Sequence, residues 1–321
     1  MSRAATSALT TVLVAAAAVG TGCRGGDASG PPVIIVTTTA TTEVTETPTS
    51  EPTTDHPRPL RVGIAVEAVR HLASDVGPRH ATSPAFRRSA RWLAARFREA
   101  GYDVETRGFD VPGGNSWGVP VRAGRSANVI AVPAGLDPRR PHLVVGAHLD
   151  TVPQSPGAED DASGIGVLLM LADSLEGRTS VGRLPVVLVG FGAEEPRGPT
   201  DADHHYGSRA YVADLTPRER QAVRGMVAMD RVGVGDVVPV CTAGDDAARA
   251  LVLRAGRRAG VPTLPCTNTS SDHWSFVQEG MPGVRVGGTS YAGYHSPGDV
   301  PEVVGRAQLL RTARLVLAWI R

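Results

Sequence analysis

Histidine and acidic side chains that could hold metal ions recur between positions 148 and 299 of the chain. In chain order the set comprises His148, Asp150, Glu159, Asp160, Asp161, Glu194, Glu195, Asp230, His295 and Asp299. Histidine nitrogen and carboxylate oxygen are ligands that suit Zn²⁺. The adjacent carboxylates of Glu194 and Glu195 would repel one another unless a cation or a proton lies nearby. These residues therefore predict a site for divalent cations.

Taken singly, the motifs also have ordinary structural interpretations. His148 and Asp150 stand two positions apart on a predicted extended segment, so their side chains project to the same side. They would form either a simple hydrogen-bonded pair or a metal-binding histidine braced by an aspartate. An acid before a helix can cap its N-terminus. Capping explains one of the three acids at positions 159–161, but not all three.

Composition narrows the possible function classes. The 33 basic and 32 acidic residues leave a formal charge of +1, which is too small for strong electrostatic attraction to nucleic acid. All the basic residues are arginine, so a P-loop lysine and a Schiff-base lysine are excluded. The 3 cysteines are too few for a cysteine-ligated zinc module or an iron-sulfur cluster. Any metal must therefore be held by histidine and carboxylate.

The hydrophobic pattern changes repeatedly between strand and helix periods. Short apolar runs predict strands over 127–132, 142–147, 184–191 and 225–229, and helical patterns cover 165–175 and 247–259. Ser83 and Pro84 predict the start of a further helix that ends at Gly101. This alternation predicts an α/β fold, a three-layer sandwich with a mixed, mainly parallel central sheet and helices on both faces. Ligands of such sheets gather beyond the carboxyl ends of the strands, which the metal-ligating candidates follow.

The N-terminal segment predicts export. Arg3, a short apolar run over 8–19 and small residues before Cys23 resemble a bacterial lipoprotein signal peptide over 1–22, with a lipid on Cys23. Plain secretion is the alternative. Both predict an extracytoplasmic protein, and any contact with a membrane is expected only through a lipid on Cys23. Residues 23–59 are rich in Thr and Pro and predict a disordered tether, which leaves 60–321 as the single domain.

The series of motifs resembles a known enzyme family. It consists of His148-Leu149-Asp150, the acidic segment 159–164, Ala193-Glu194-Glu195, Asp230, Ser271-Asp272-His273 and Tyr294-His295. In order, spacing and placement at strand ends it is similar to the co-catalytic di-zinc aminopeptidases typified by secreted bacterial leucyl aminopeptidases. The similarity extends from about residue 127 to residue 299, so 60–321 is expected to be a di-zinc peptidase domain.

The resemblance implies two zinc ions per chain. His148 and Asp230 would hold one ion, Glu195 and His295 would hold the other, and Asp160 would bridge the two. It implies a zinc-dependent exopeptidase that hydrolyses N-terminal peptide bonds of substrates with a free N-terminus. We further expect a monomer that binds no nucleic acid.

The resemblance also implies roles beside the metals. Glu194 would be the general base, and the Tyr294 hydroxyl would stabilise the oxyanion. Asp150 would orient His148, and Asp299 would orient His295 in the same way.

Three departures from the family pattern bear on substrate preference. Arg231 follows Asp230 where many relatives have an apolar residue, and it would bind a substrate carboxylate or form a structural ion pair with an acid such as Asp236 or Asp272. The polar segment 196–205 predicts an exposed loop, with lining of the site as the alternative. Ser270 occupies the place of an arginine that helps some relatives to bind substrate.

Two other functions remain open. The segment 148–153 is close to the opening motif of the related di-zinc carboxypeptidases and N-acyl amino acid deacylases, but the chain has no lysine for that group's acidic motif and no room for its inserted domain. A non-catalytic lipoprotein receptor with this fold is the other alternative, and the presence of Glu194 at the position of the general base is evidence against it.

Cys241 and Cys266 would form a disulfide outside the cell or remain two buried thiols.

Overall fold

The computed structural model describes residues 56–179 and 181–321. The predicted signal peptide, Cys23 and most of the predicted tether lie outside the described residues. The last residues before Leu60 lie against the domain, because Arg58 and Ser174 exchange two hydrogen bonds of 2.9 and 2.6 Å. Within the described residues, no helix is long and apolar enough to cross a membrane.

The described residues form ten strands and eight α-helices. The strands are β1 (Tyr102–Val111), β2 (Gly114–Ser116), β3 (Val119–Val121), β4 (Gly124–Pro133), β5 (His142–His148), β6 (Val186–Phe191), β7 (Val223–Met229), β8 (Val238–Cys241), β9 (Thr263–Cys266) and β10 (Gly283–Val286). The helices are α1 (Val62–Arg70), α2 (Pro84–Glu99), α3 (Ser163–Leu175), α4 (Tyr206–Asp214), α5 (Pro217–Ala222), α6 (Asp246–Ala259), α7 (His273–Gln278) and α8 (Arg306–Ile320).

One mixed sheet of eight strands runs through the domain in the order β1-β4-β6-β5-β7-β10-β8-β9. Its centre, β6-β5-β7-β10, is parallel, whereas β4 and β8 run antiparallel to their central neighbours. Strands β2 and β3 form a separate hairpin. Because β5, β6 and β7 are parallel neighbours, their carboxyl ends meet at one edge of the sheet.

Helices cover both faces of this sheet, and alternate residues of the strands face opposite sides. On one face, Val145 of β5 and Val227 of β7 belong to a core that α1, α2, α3, α6 and α8 complete. On the other face, Val144 and Met226 pack with α4 and α7 through Tyr211 and Phe276. The predicted α/β sandwich with a mixed central sheet is therefore confirmed.

The predicted elements occur close to their predicted bounds. In α2, the Ser83 hydroxyl accepts a hydrogen bond of 3.0 Å from the Phe86 amide, and Pro84 occupies the first turn. Phe86, Leu93 and Phe97 of this helix are buried, as their spacing requires. The sequence analysis did not identify β1 or the three strands β8, β9 and β10.

Cys241 and Cys266 form a disulfide, so the alternative of two buried thiols is wrong. The bond joins the last residues of the parallel neighbours β8 and β9, which are paired partners in the sheet. It fixes the start of the loop that leads to α7.

Candidate metal centre

Three of the metal-ligating candidates stand at the carboxyl ends of the parallel strands. His148 is the last residue of β5, Glu195 follows the end of β6 by four positions, and Asp230 directly follows β7. All three are buried. The sheet thus brings together residues that lie as far as 82 positions apart, as the strand-end placement predicted.

Asp160 enters the site from the turn before α3. The Asp299 carboxylate accepts hydrogen bonds from the Glu159 amide at 2.7 Å and the Asp160 amide at 3.1 Å. Asp299 therefore positions the segment that carries Asp160, and the expectation that it orients His295 is wrong. Among the described residues, Nδ1 of His295 has no hydrogen-bond partner.

The other two acids of this turn are bound by backbone amides. Glu159 accepts hydrogen bonds from Gly233 and Val234. Asp161 accepts one from Gly164, as a cap at the start of α3 does, and one of 3.1 Å from Arg231. Of the three consecutive acids, only Asp160 contributes a carboxylate oxygen to the candidate metal-binding groups.

The five predicted ligands form two groups that share one residue. His148, Asp160 and Asp230 bring one ligand atom each within 4.8 Å of one another, and so do Asp160, Glu195 and His295. The two Asp160 oxygens face different histidines, Oδ1 lying 2.9 Å from His148 Nε2 and Oδ2 lying 3.1 Å from His295 Nε2. A carboxylate with one oxygen toward each group is arranged as a bridging ligand.

The His148 ring is fixed in a tautomer that suits metal binding. Its Nδ1 lies 3.1 Å from the backbone carbonyl of Asp150, which can only accept a hydrogen bond. Nδ1 therefore donates, which leaves the Nε2 lone pair directed into the site when the ring is neutral. Asp150 orients His148 mainly through its carbonyl, because its carboxylate instead accepts hydrogen bonds from the Glu194 and Glu195 amides.

Burial concentrates negative charge at the site. Burial and the nearby Asp160 carboxylate raise the pKa of Glu195 to about 7, although the His295 ring opposes this shift. One buried oxygen of Glu195, Oε1, has no hydrogen-bond partner among the described residues. A buried carboxyl group with a raised pKa and an unsatisfied oxygen fits a site that holds a cation.

Glu194 does not belong to either ligand group, and its carboxylate faces His205. Glu194 Oε1 lies 3.3 Å from His205 Nε2. Burial would raise the pKa of Glu194, but the His148 and His205 rings outweigh it and lower the pKa to about 2. Glu194 is therefore a carboxylate beside the ligands that is ionised at neutral pH.

The segment 196–205 is only partly the exposed loop that we expected. Residues 200–202 are exposed, whereas Arg197 and His205 are buried, and His205 lies against Glu194. His205 has φ of 56°, a left-handed conformation that few residues other than glycine adopt. Backbone strain of this kind is often retained at functional sites.

Aromatic rings cover the His295 side of the site. The Tyr294 ring stacks on His295 with 3.7 Å between centroids, and Trp117 packs edge-on against His295 at 4.4 Å. Trp117 lies between β2 and β3 and is 54% exposed. The sequence analysis missed Trp117; its only signal was a large aromatic residue between turn-forming residues.

Two arginines flank Asp230. Arg285 of β10 donates a 2.9 Å hydrogen bond to Asp230 Oδ1, and Nε of Arg231 lies 3.5 Å from the same oxygen. Arg231 forms the structural ion pair that was one of its two expected roles, but its partner among the described residues is Asp230 and neither Asp236 nor Asp272. Burial alone would lower the pKa of Arg231, but the carboxylates of Asp230 and Asp160 raise it, so the guanidinium stays charged.

Comparisons with known proteins agree with this geometry. The sequence pattern of peptidase family M28 matches residues 128–320. An uncharacterized Escherichia coli protein, YfbL, is 26% identical over 74% of this chain and 80% of its own length. Aminopeptidase YwaD of Bacillus subtilis is 29% identical over 61% of this chain and 44% of its own length. The structure of a zinc aminopeptidase from Bacillus subtilis superposes with a TM-score of 0.71 at 19% identity, covering 82% of this chain and 95% of that one.

Proposed function

The chain belongs to peptidase family M28, and from this membership together with the site geometry we propose that it is a zinc-dependent aminopeptidase. The observation that carries the proposal is the pair of buried ligand groups that share Asp160. A curated relative is an aminopeptidase and a structural neighbour is a zinc aminopeptidase, which supports the same activity.

The residues present fit two zinc ions. His148 and Asp230 would hold one ion, Glu195 and His295 the other, and Asp160 would be shared. Both donor sets consist of imidazole nitrogen and carboxylate oxygen, which suit Zn²⁺. When bound there, zinc supplies a Lewis acid that polarises a carbonyl and lowers the pKa of water from 15.7 to about 7.

Glu194 is the general base of the proposed reaction. It takes a proton from the attacking water as the water oxygen bonds to the peptide carbonyl carbon. When the C–N bond then breaks, Glu194 returns this proton to the leaving amine. As an ionised carboxylate it can accept the first proton, and His205 lies against this carboxylate and holds it in place.

Other residues of the chain bind and orient the substrate. Tyr294 is assigned to donate its hydroxyl hydrogen to the developing oxyanion. Carboxylates at the site would hold the free N-terminal amine of the substrate, which makes the enzyme an exopeptidase. Stacking on His295 limits the movement of the Tyr294 ring.

The proposal is tested by Glu194→Gln, which keeps the shape of the side chain and removes its basicity. We expect the zinc content to be unchanged and hydrolysis of aminoacyl anilides to fall by several powers of ten. Glu279→Gln, in an ion pair with Arg220 outside the site, is the matched control and should retain activity. Retained activity in Glu194→Gln would exclude Glu194 as the base.

Hydrolysis of N-acyl amino acids but not of aminoacyl anilides by the unaltered enzyme would favour the deacylase alternative.

A further inference from the structure

Beside the candidate metal centre lies a cavity of about 460 Å³ with a cationic wall. Arg231 and Arg285 line it together with the polar side chains of Asn268 and Thr289. Asp236 also lines the cavity, but it forms no ion pair with either guanidinium in the part of the chain that the structure describes.

Arg285 forms a buried ion pair with Asp230. Its guanidinium is 3% exposed, donates to Asp230 Oδ1 at 2.9 Å and donates to the Ser270 carbonyl at 3.1 Å. The carboxylate of Asp230 therefore has a buried counter-charge that does not involve Arg231. Asp230 thus lies between two guanidinium groups, and Arg285 makes the closer contact with it.

The guanidinium of Arg231 is held in a fixed orientation. Its guanidinium lies over the Tyr294 ring at 4.4 Å, and only its Nε approaches Asp230. Its backbone is held by Asp161 and Gly288. Among the described residues, the two terminal nitrogens of Arg231 make no hydrogen bond, although the side chain is only 14% exposed. A held guanidinium with free donors is suited to bidentate binding of a carboxylate.

We infer that Arg231 is a specificity determinant that binds a carboxylate of the substrate next to the scissile bond. The inference rests on the proposed aminopeptidase function. Consecutive Cα atoms are about 3.8 Å apart, so a substrate carboxylate one residue from the reacting carbonyl lies close to that carbonyl. Because Arg231 borders the proposed metal ligand Asp230, its guanidinium is within reach of such a carboxylate. Two sources share this chemistry: the C-terminal carboxylate of a dipeptide and the acidic side chain of an N-terminal residue.

Two substrate pairs separate these sources. Leucyl-alanine and leucyl-alaninamide differ only in the C-terminal carboxylate, and the anilides of glutamate and glutamine differ only in the side-chain charge. For the zinc-loaded full chain, we expect kcat/KM to favour the charged member of one pair by about tenfold or more, the effect of a charge-assisted hydrogen bond. The pair that shows the preference identifies the source of the carboxylate.

The variant Arg231→Met should bring the ratio of kcat/KM within that pair close to one. Because the ratio is taken within each enzyme, a general loss of activity cancels. Arg231→Lys should keep part of the preference, since it retains the charge but not the planar fork. Arg220→Met, which removes an arginine outside the site, should keep the full preference.

Equal rates on both members of both pairs by the unaltered enzyme would overturn the inference and leave the aminopeptidase proposal standing. A preference that survives in Arg231→Met would overturn it as well. Failure to hydrolyse any of the four substrates would instead contradict the proposed function, and the inference with it.

Discussion

At the scale of single residues, the function depends on how each carboxylate is supported. Asp160 faces two histidines, and Asp299 holds the segment that carries it through two backbone amides. Glu194 is supported by the carboxylate of Asp150 from the backbone side and by His205 at its side chain. A proposed base and a proposed bridging ligand that are fixed in this way would lose little entropy on reaching the reacting geometry.

The contact between His205 and Glu194 predicts a positioning role for His205. His205→Ala should lower kcat by about 10- to 100-fold, the usual effect of removing a residue that orients a group at a metal site. Zinc content should not change, because His205 belongs to neither ligand group. The measurement is steady-state kinetics together with metal analysis.

His204→Ala is the matched control for this prediction, because His204 is adjacent in sequence but only partly buried and forms no ion pair with Glu194 among the described residues. An equal fall in both variants would show that the loop, and not the His205 contact, is responsible. Loss of zinc in His205→Ala would also contradict the positioning role.

The sequence revealed the candidate ligands better than the residues that support them. His148 and Asp230 were found because they follow apolar strands, so their location is a local property of the chain. For His205, lining of the site was only the alternative to an exposed loop, and Arg285 was not identified. His205 reaches Glu194 only through the path of a long loop, and Arg285 belongs to a four-residue strand that is too short to give a clear hydrophobic period.

At the scale of elements, close packing between helices positions the acidic turn before α3. Gly166 of α3 faces α1, where an added Cβ would lie 2.7 Å from the Ala65 carbonyl oxygen and 3.1 Å from its Cα. Both atoms belong to backbone, so they cannot move aside cheaply. The approach of α1 to α3 therefore requires glycine at this position.

Gly166→Ala should lower the free energy of unfolding by about 1–3 kcal/mol, the typical effect of overpacking. Gly63→Ala is the matched control, because Gly63 lies in α1 with nothing within 4 Å of its added Cβ. There the same substitution should be neutral or should stabilise by about 0.5 kcal/mol, since alanine favours helix. Urea unfolding of the two variants checks both values, and equal stability would contradict the packing argument.

The elements differ in how well the sequence revealed them. The buried central strands are continuous apolar runs, so β5, β6 and β7 were predictable. Strand β1 has an alternating pattern with several exposed polar residues and forms the edge of the sheet, and the β2-β3 hairpin is only a few residues long. Because the pairing partners of these elements stabilise them more than their own residues do, their sequences carried a weaker signal.

At the scale of the whole molecule, the proposed metal centre would couple function to stability. It joins the ends of β5, β6 and β7 to the turn before α3 and to the segment before α8. Without cations, the buried carboxylates repel one another. Binding that occurs only in the folded state must therefore stabilise the fold.

A ligand present at 100 times its Kd stabilises the folded state by about 2.7 kcal/mol. Removal of zinc by a chelator should therefore lower Tm by about 5–10 °C. Re-addition of zinc should restore the original value. In Asp160→Asn, which alters the shared ligand, the chelator should change Tm much less. Differential scanning calorimetry makes this measurement, and an identical Tm with and without chelator in the unaltered chain would contradict the coupling.

The most direct test of the two-zinc centre is anomalous X-ray diffraction at the zinc absorption edge from crystals of the zinc-loaded protein. We predict two peaks, one between His148 and Asp230 and the other between Glu195 and His295, both within bonding distance of Asp160. A single peak, or zinc held by residues outside these five, would contradict the account.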